Sequence, residues 1–387
     1  MVKVLFEPVD VGPLTLRNRT VRAAAFEGMS PGGMPSAALV DHHRAMAKGG
    51  VGMTTVAYAA VSSGGRTFAH QMWMRPVVVP RLRELTDAVH AEGAAASLQI
   101  GHGGEMADPR VTREPALAPS RQLNLYGLTL PRPMTEANIE QLVEDFVRAT
   151  RLARRAGFDA VEIQAGHGYL LSQFLSPYTN HRRDRYGGAL ANRARLTRRV
   201  VRAVRAVAGQ TMAVVVKMNL RDGFEGGFEL DDAVALARWL QEDGADALVT
   251  SGGFSSKTPW YILRGEIPLT EMTANESRPL HKVGMALFGK MMVEPFPFEE
   301  AYFFSMAREL CDAVTIPLAL VGGIRTRETI DEILASGFDL VAMARPLIRE
   351  PDFVARLRRE PAARSLCDPC NRCVAAMYHA EQRCPRR

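Results

Sequence analysis

Eight short apolar runs separate segments that have a helical spacing of apolar residues, and this alternation is the feature that most constrains the fold. The runs are continuous instead of alternating with polar residues, as in strands that are buried on both faces. Eight strands alternating with helices in a chain of this size predict the α/β class and a (β/α)8 TIM barrel. The predicted strands are residues 20–26, 52–61, 94–100, 160–165, 213–219, 247–253, 318–324 and 340–347.

Amphipathic helices are predicted between these strands, and their ends carry capping residues. We expect Gly157 to cap the first of them at its C-terminus and Thr326 to cap the last at its N-terminus. A doubly wound open sheet is the alternative architecture, but no G-x-G-x-x-G sequence of a dinucleotide-binding domain follows the first strand. The predicted helices are residues 139–157, 192–209, 231–244 and 326–337.

Two segments interrupt the alternation. Residues 254–296, rich in Met, Phe and Pro, follow the sixth predicted strand and would emerge at the C-terminal face of a barrel, where active sites lie. A lid, an apolar substrate pocket, an oligomer contact and a simple packed excursion all stay open for this segment. We predict a barrel over residues 1–350, with 254–296 inserted, and a Cys-rich C-terminal extension over 351–387.

Composition and charge argue against several classes of protein. The chain has 387 residues and a net charge of +6, which comes mostly from scattered Arg. Because no basic block is interleaved with aromatic residues, nucleic-acid binding is disfavoured, and an anionic cofactor or substrate accounts for the charge. No apolar run reaches the roughly 18 residues of a transmembrane segment, and the start lacks the apolar core of a signal peptide. We expect a cytoplasmic enzyme with a small-molecule substrate and reduced thiols.

Polar side chains cluster at the end of the predicted strand 160–165. Gln164 lies in the strand, and His167 and Tyr169 follow it around two glycines. A single such residue is more often a hydrogen-bonded structural residue than a catalytic one. Three of them at the catalytic end of one barrel strand indicate a functional site.

Other predicted strands also carry polar residues or glycines at or near their carboxyl ends, where the predicted active site lies. Gln99 ends one strand, and Lys217 interrupts an otherwise apolar run, where a buried ammonium needs an anionic or strongly polar partner. Gly322, Gly323 and Arg345 follow the last two strands, where barrels commonly bind phosphate. A buried cation, a phosphate site and a row of polar groups suggest a phosphorylated planar cofactor.

Five longer segments carry a family resemblance, namely residues 13–21, 98–104, 134–163, 166–196 and 321–352. The most specific of them is GHGYLLSQFLSPYTNHRRDRYGGALANRARL, at 166–196. In this order the segments resemble the Old Yellow Enzyme family of FMN-dependent ene-reductases, within the broader NADH:flavin oxidoreductases. The resemblance implies FMN as the bound cofactor and NAD(P)H as the reductant.

The resemblance also implies roles for matched residues. Gln99 would contact the flavin pyrimidine edge, and Lys217 would stabilise the negative charge of reduced FMN near N1 and O2, as the field of a cation also requires. His167, with Gln164, would bind a carbonyl-type oxygen of the substrate. Tyr169 would protonate the substrate after hydride transfer from flavin N5 to an activated alkene. The implied cofactor contacts are Ala23, Ala24, Ala25, Phe26, Tyr58, Gln99, Lys217, Gly252, Gly322, Gly323, Ala344 and Arg345.

Alternative activities remain open on the same residues. A flavin-dependent dehydrogenase, a demethylase-like amine oxidase, or a nitro or quinone reductase would keep the cofactor and change the substrate. An aldolase or isomerase barrel would instead use Lys217 as a Schiff-base or general-base lysine. A non-enzymatic redox-sensing role for the cysteine extension is a further alternative.

Two positions depart from the family pattern. Gln164 stands where the family usually has His, and an amide can donate a hydrogen bond but carries no titratable proton. Phe26 stands where a polar residue often contacts the flavin, so the pocket shape or the redox potential should differ.

Four cysteines form a C-x2-C-x2-C-x10-C pattern: Cys367, Cys370, Cys373 and Cys384. Clustered cysteines in a cytoplasmic enzyme suggest a metal more than disulfides. The pattern resembles the [4Fe–4S] ligands of dienoyl-CoA reductase and trimethylamine dehydrogenase, which have one more residue before the third cysteine. A [4Fe–4S] cluster, structural zinc and reduced thiols stay open. A cluster would imply a separate electron-transfer protein as partner or a purely structural role, and a homo-oligomer is also compatible. Cys311 is expected to be a core residue.

Overall fold

The computed structural model describes residues 3–124, 127, 129–276, 279–292, 294–376 and 381–386. Eight parallel strands close into a barrel in which the last strand pairs with the first. The barrel strands are β3 (Thr20–Arg22), β4 (Met53–Ala60), β5 (Ala95–Gly101), β8 (Ala160–Ala165), β9 (Ala213–Asn219), β10 (Ala247–Ser251), β11 (Leu318–Val321) and β12 (Leu340–Met343). The (β/α)8 prediction is therefore confirmed, and each predicted run overlaps one barrel strand.

Two short pairs of strands lie outside the barrel. An antiparallel pair precedes the first barrel strand, and a parallel pair lies between β5 and β8. These strands are β1 (Val9–Val11), β2 (Leu14–Leu16), β6 (Leu117–Ala118) and β7 (Arg132–Pro133).

Helices alternate with the barrel strands. They are α1 (Ala37–Lys48), α2 (Val79–Ala91), α3 (Pro109–Thr112), α4 (Glu136–Arg155), α5 (Leu170–Leu175), α6 (Leu190–Arg193), α7 (Arg195–Ala208), α8 (Leu230–Glu242), α9 (Pro259–Leu263), α10 (Leu269–Asn275), α11 (Pro279–Met292), α12 (Phe304–Ala307), α13 (Arg327–Ala335), α14 (Arg345–Arg349), α15 (Phe353–Arg359) and α16 (Arg372–Ala376). Among the described residues, no helix is both long and apolar enough to cross a membrane.

Helix ends agree with the predicted caps in part. The Thr326 side chain accepts a hydrogen bond from the backbone N–H of Thr329, which confirms its N-cap role. Ala156, and not Gly157, is the C-cap of α4; Gly157 follows at φ 84°, where a residue without Cβ avoids strain. The predicted helix 192–209 is two helices, α6 and α7, which meet at Ala194.

The barrel is buried on both faces. Small and medium apolar side chains such as Val21, Ala160 and Val215 fill its interior. A second, larger apolar layer packs the strands against the surrounding helices, for example Leu98 and Val216 with Phe146 and Leu236. Burial on both faces explains why the strands read as continuous apolar runs.

The 254–296 segment packs on the C-terminal extension. Its helix α10 contacts α16, where Arg372 forms a 2.9 Å ion pair with Glu271. The backbone N–H of Glu266 donates to the Pro369 carbonyl at 2.9 Å. These contacts bring the extension beside the carboxyl ends of the barrel strands.

Candidate active site

A cavity of about 290 Å³ lies at the carboxyl ends of the barrel strands. Its size falls close to the lower end of the range for small-molecule sites. The structure brings fourteen of the fifteen predicted non-metal site residues to its wall: Ala23, Ala24, Ala25, Phe26, Tyr58, Gln99, Gln164, His167, Tyr169, Lys217, Gly322, Gly323, Ala344 and Arg345. Gly252 is not in the wall; a Cβ there would lie 3.0 Å from the Phe303 ring, so this glycine allows close packing of an aromatic side chain.

His167 and Gln164 form a hydrogen-bonded pair in the wall. Gln164 Nε2 and His167 Nδ1 are 3.3 Å apart, and His167 Nε2 is 2.7 Å from Ser251 Oγ. An amide N–H donates, so His167 Nδ1 accepts and Nε2 carries the proton. Burial, with Lys217 as a second cause, lowers the pKa of His167 to about 3, so the imidazole is neutral at pH 7.

The backbone holds His167 in an unusual conformation. Its φ of 62° lies in the left-handed region, which is uncommon for a residue with a Cβ. Asn219 Oδ1 accepts from the His167 N–H at 2.9 Å, and the His167 carbonyl accepts from the Ser255 N–H at 2.9 Å. Contacts from the end of β9 and from the loop after β10 therefore hold the His167 backbone at the cavity.

Tyr169 lies at the N-terminus of α5 and packs against Tyr58. The ring centroids are 5.0 Å apart and the rings are inclined by 63°. Burial raises the pKa of Tyr58 to about 12, while hydrogen bonds with Thr67, Gln71 and Tyr169 oppose this rise. Tyr58 therefore stays protonated and lies next to Tyr169, the predicted proton donor. From the sequence, Tyr58 was predicted only as a cofactor contact.

Lys217 has the anionic partner that its burial requires. Its ammonium lies 3.1 Å from Glu162 Oε1, and both side chains are 2% exposed. Gln99 Nε2 donates to the same carboxylate oxygen at 2.6 Å. Glu162 was not among the predicted site residues, although a charged residue in the middle of a buried strand is itself a signal of a functional or structural ion pair.

A second buried ion pair supports the loop that lines the cavity. Arg22 and Glu27 are 2.7 Å apart and almost fully buried. Arg22 also donates to the Ala25 carbonyl at 3.2 Å, and the backbone N–H of Ala57 donates to the Glu27 carboxylate. Burial raises the pKa of Glu27, and Arg22 opposes this rise. The predicted strand 20–26 ends at residue 22, because residues 23–26 leave the barrel as this loop.

Phe26 forms an aromatic wall with residues of the loop after β4. Its ring stacks on Phe68 with centroids 4.8 Å apart and an inclination of 22°, and His70 lies 5.5 Å away. The departure from the family pattern at position 26 therefore creates an apolar, planar surface on one side of the cavity.

The opposite end of the cavity suits a phosphate. Gly322 and Gly323 have φ values of 116° and 74°, and a Cβ at either one would lie within 3.0 Å of neighbouring atoms. The Arg345 guanidinium donates to the Arg264 carbonyl and to Asn371 Oδ1, two neutral acceptors that leave its charge unbalanced. Together with Arg325, also in the wall, this end is cationic and glycine-rich, as phosphate binding requires.

The wall also contains an unsatisfied buried acceptor. Among the described residues, none donates a hydrogen bond to Gln164 Oε1. Because buried polar atoms rarely go unpaired, this oxygen indicates a bound molecule with an N–H or O–H donor. FMN offers ribityl hydroxyls as such donors, and its phosphate suits the cationic end of the cavity, so the residues present fit this cofactor.

The four cysteines of the extension border one small cavity of about 20 Å³, together with Arg345, Arg349 and Arg386. Cys367 and Cys373 also reach the wall of the main cavity. Burial raises the pKa of the Cys367 thiol to about 12 and that of Cys373 to about 11. Within the part of the chain that the structure describes, no three His, Cys, Asp or Glu side chains are arranged to hold a metal ion. Binding of a metal or cluster by these cysteines stays a prediction.

Comparison with known proteins identifies related chains. Residues 4–254 match the family model described as "NADH:flavin oxidoreductase / NADH oxidase family". Residues 299–366, which contain β11 and β12, match a second model, described as "Histidine biosynthesis protein".

Relatives of similar length carry reductase or dehydrogenase names. The chain is 45% identical over 375 residues to a "4,4'-dithiodibutanoate disulfide reductase" from Rhodococcus erythropolis, covering 97% of this chain and 93% of that protein. It is 32% identical over 312 residues to an "NADPH dehydrogenase" from Halalkalibacterium halodurans, covering 79% and 90%. The solved structure of an Old Yellow Enzyme homologue from Zymomonas mobilis superposes with a TM-score of 0.75 at 22% identity, over 99% of this chain and 97% of that one.

Proposed function

The chain belongs to the NADH:flavin oxidoreductase / NADH oxidase family, and we propose that this FMN-dependent NAD(P)H oxidoreductase reduces an activated carbon–carbon double bond. The observation that carries the proposal is the meeting of Tyr169, the Gln164–His167 pair and Lys217 in the wall of one cavity. Bound FMN would supply the hydride transfer, first from NAD(P)H and then to the acceptor.

The Gln164–His167 pair would hold an electron-withdrawing oxygen of the substrate. After donating to His167, Gln164 Nε2 retains a second N–H, and the neutral His167 ring has a proton on Nε2, 2.7 Å from Ser251 Oγ, that would be shared between this hydroxyl and the substrate oxygen. Two neutral donors stabilise the negative charge that develops on a carbonyl or nitro oxygen during hydride addition.

Tyr169 would complete the reaction by protonation. A phenol is neutral at pH 7 and can donate its proton to a carbanion that forms next to the anchored oxygen. Tyr58 lies against Tyr169 and stays protonated, which favours a neutral pair of phenols before the proton moves.

Lys217 and the glycines at the far end would hold the cofactor. The ammonium would lie beside the flavin pyrimidine ring, and Arg345 with the backbone of Gly322 and Gly323 would hold the phosphate. The ion pair with Glu162 also favours this role over the lysine-based aldolase, since a Schiff-base lysine must lose its proton.

The test is anaerobic absorption spectroscopy of the purified protein followed by the two half-reactions in Tyr169→Phe. We expect flavin bands that bleach with NADH or NADPH at a nearly unchanged rate, and reoxidation by a cyclic enone that is slower by about 10²–10⁴-fold. Tyr178→Phe is the matched control, because Tyr178 packs on Phe224 outside the cavity wall and should leave both rates unchanged. Equal slowing of both half-reactions in Tyr169→Phe would contradict selective proton donation, and a colourless protein that does not take up FMN would contradict the proposal as a whole.

An organic disulfide is the second candidate acceptor, favoured by the relative that is 45% identical over nearly the whole chain. Hydride delivered to one sulfur would break the S–S bond, and the departing thiolate would take the proton from Tyr169. The sum is one NAD(P)H and one proton consumed for two thiols formed.

The two acceptors can be separated by one variant. His167→Ala removes a donor to the substrate oxygen, so enone reduction should fall strongly. Reduction of 4,4'-dithiodibutanoate should fall less, because no carbonyl oxygen adjoins its S–S bond. Stopped-flow measurement of the rate at which each compound reoxidises the reduced enzyme gives the comparison. Equal losses of rate for the two compounds would argue against disulfide reduction that does not need the Gln164–His167 pair.

A further inference from the structure

Glu162 lies in the middle of β8 with 1% of its surface exposed, and no role has so far been given to it. A single carboxylate oxygen, Oε1, lies 3.1 Å from the Lys217 ammonium and accepts a 2.6 Å hydrogen bond from Gln99. Burying a charged group is costly unless its partners are arranged closely around it. The geometry therefore shows a charge that is built into the barrel.

Strand register places this carboxylate below the cavity wall. Glu162 is paired with Gln99 on β5, whereas Lys217 on β9 is paired with Gln164, two residues further along β8. Alternate residues of a strand share a face, so Glu162 and Gln164 share one face of β8 and Glu162 lies one layer deeper. Gln99 and Lys217 reach the cavity wall, but Glu162 does not.

The partners of Glu162 are the two side chains assigned to the flavin ring. Among the described residues, the Lys217 ammonium has two hydrogen-bonding or ion-pair partners, Glu162 and the Ala24 carbonyl at 3.4 Å. An ammonium has three N–H donors, so one is left for a ligand. Gln99 donates an amide N–H to Glu162. This hydrogen bond fixes the orientation of the amide and leaves Gln99 Oε1 as an acceptor for a ligand.

We infer that Glu162 is a positioning residue that sets how strongly the site favours reduced FMN, by partly cancelling the Lys217 charge and by orienting Gln99. This inference rests on the proposed function, since it needs the flavin beside Lys217. An unopposed cation in a low-dielectric site would stabilise the negative charge of reduced flavin. With Glu162 behind it, the flavin would experience an ion pair, and the reduced cofactor would give up its hydride more readily.

The test is Glu162→Gln in the holoenzyme, measured by equilibration with a redox dye of known potential under anaerobic conditions. Gln keeps the size of the side chain and removes its charge. We expect the equilibrium constant for FMN reduction to shift by about tenfold toward the reduced form. Reduction by NAD(P)H should become faster, and reoxidation by the acceptor slower.

Two comparisons separate this effect from a general loss of structure. Asp243→Asn removes another buried carboxylate, paired with Arg198 and Arg202 outside the cavity wall, and should leave the equilibrium constant unchanged. In a Lys217→Met background, Glu162→Gln should shift the equilibrium by less than it does with Lys217 present, because only the contribution through Gln99 remains.

An unchanged equilibrium constant in Glu162→Gln, or a shift toward oxidised FMN, would overturn the inference. Failure of the proposed function looks different, since wild-type protein would then lack flavin bands or would not bleach with NAD(P)H. A wild-type enzyme that turns over, with a variant that binds FMN at an unchanged equilibrium, rejects only the role of Glu162.

Discussion

At the carboxyl ends of the barrel strands, three adjacent strands carry Gln99, Glu162 and Lys217. The four cysteines of the extension lie instead in coil and in one short helix. The first set is fixed by backbone register, and its ion pair is 2% exposed. The second set is positioned by side-chain contacts such as those of Asn371, which accepts from Arg345 and donates to the Glu266 carbonyl. The backbone of a barrel can therefore hold costly buried charges in place, whereas the extension is positioned by contacts with described residues of the 254–296 segment.

The largest effect should come from breaking the ion pair under the cavity loop. Glu27→Leu leaves the Arg22 charge buried without its partner, so the free energy of unfolding should fall by about 3–5 kcal/mol. Glu271→Gln removes the Arg372 partner in the contact between α10 and α16, where both side chains are about 40% exposed, and should cost at most about 1 kcal/mol. Urea denaturation of both variants measures the two changes in the free energy of unfolding. Similar losses in the two variants would contradict the distinction between the barrel and the extension.

An intermediate effect should appear in the pH dependence of stability, through Glu105. Burial raises the pKa of Glu105 to about 7, and the hydrogen bond from Ser256 of the inserted segment partly opposes this rise. The folded state thus holds the proton more tightly than the unfolded state, whose pKa is near 4.5. The stabilisation is complete below pH 4.5 and is lost as the pH rises to about 7.

Over that pH range, the Glu105 contribution to the free energy of unfolding should fall by about 2–3 kcal/mol. Glu105→Gln should flatten this part of the profile when unfolding is followed in urea at a series of pH values. A profile of the same slope in the variant would show that Glu105 is not the group that titrates.

The smallest effect on the barrel should come from the cysteines. Cys373→Ser changes one buried thiol of the extension, so the flavin spectrum and its bleaching by NAD(P)H should be nearly those of the wild type. Where anaerobically purified wild-type protein contains iron and acid-labile sulfide, as a [4Fe–4S] cluster would give, both should be lost in this variant. Cys311→Ser is the control, since Cys311 lies apart from the four. Loss of FMN in Cys373→Ser would show that the two regions are not separable.

The fold was predictable because continuous apolar runs identify doubly buried strands directly. Residues 160–165 and 213–219 are strands with the predicted bounds. Residues 23–26 were predicted as strand because they are apolar. The Ala23 N–H still donates to the Met343 carbonyl of β12, but the segment then leaves the barrel, and an apolar run alone cannot show where a strand ends.

The site was predictable where strand ends carry polar residues, and less so where partners are distant in sequence. Glu162 was read only as part of a strand, because its partners Gln99 and Lys217 lie on other strands. The stacking of Phe26 on Phe68 likewise depends on how two loops meet. Gly252 lies against Phe303, a contact that no local pattern reveals, and its contact with the cofactor stays a prediction.

Arg345 borders both the main cavity and the small cavity of the four thiols. One guanidinium therefore lies within reach of both places, so charged groups bound at the two places would be coupled through it. Such coupling is reciprocal: if a change of charge at the thiols alters FMN affinity by some factor, FMN binding alters the equilibrium for that change by the same factor. Cofactor loading would then report on the state of the extension, and the extension on cofactor loading.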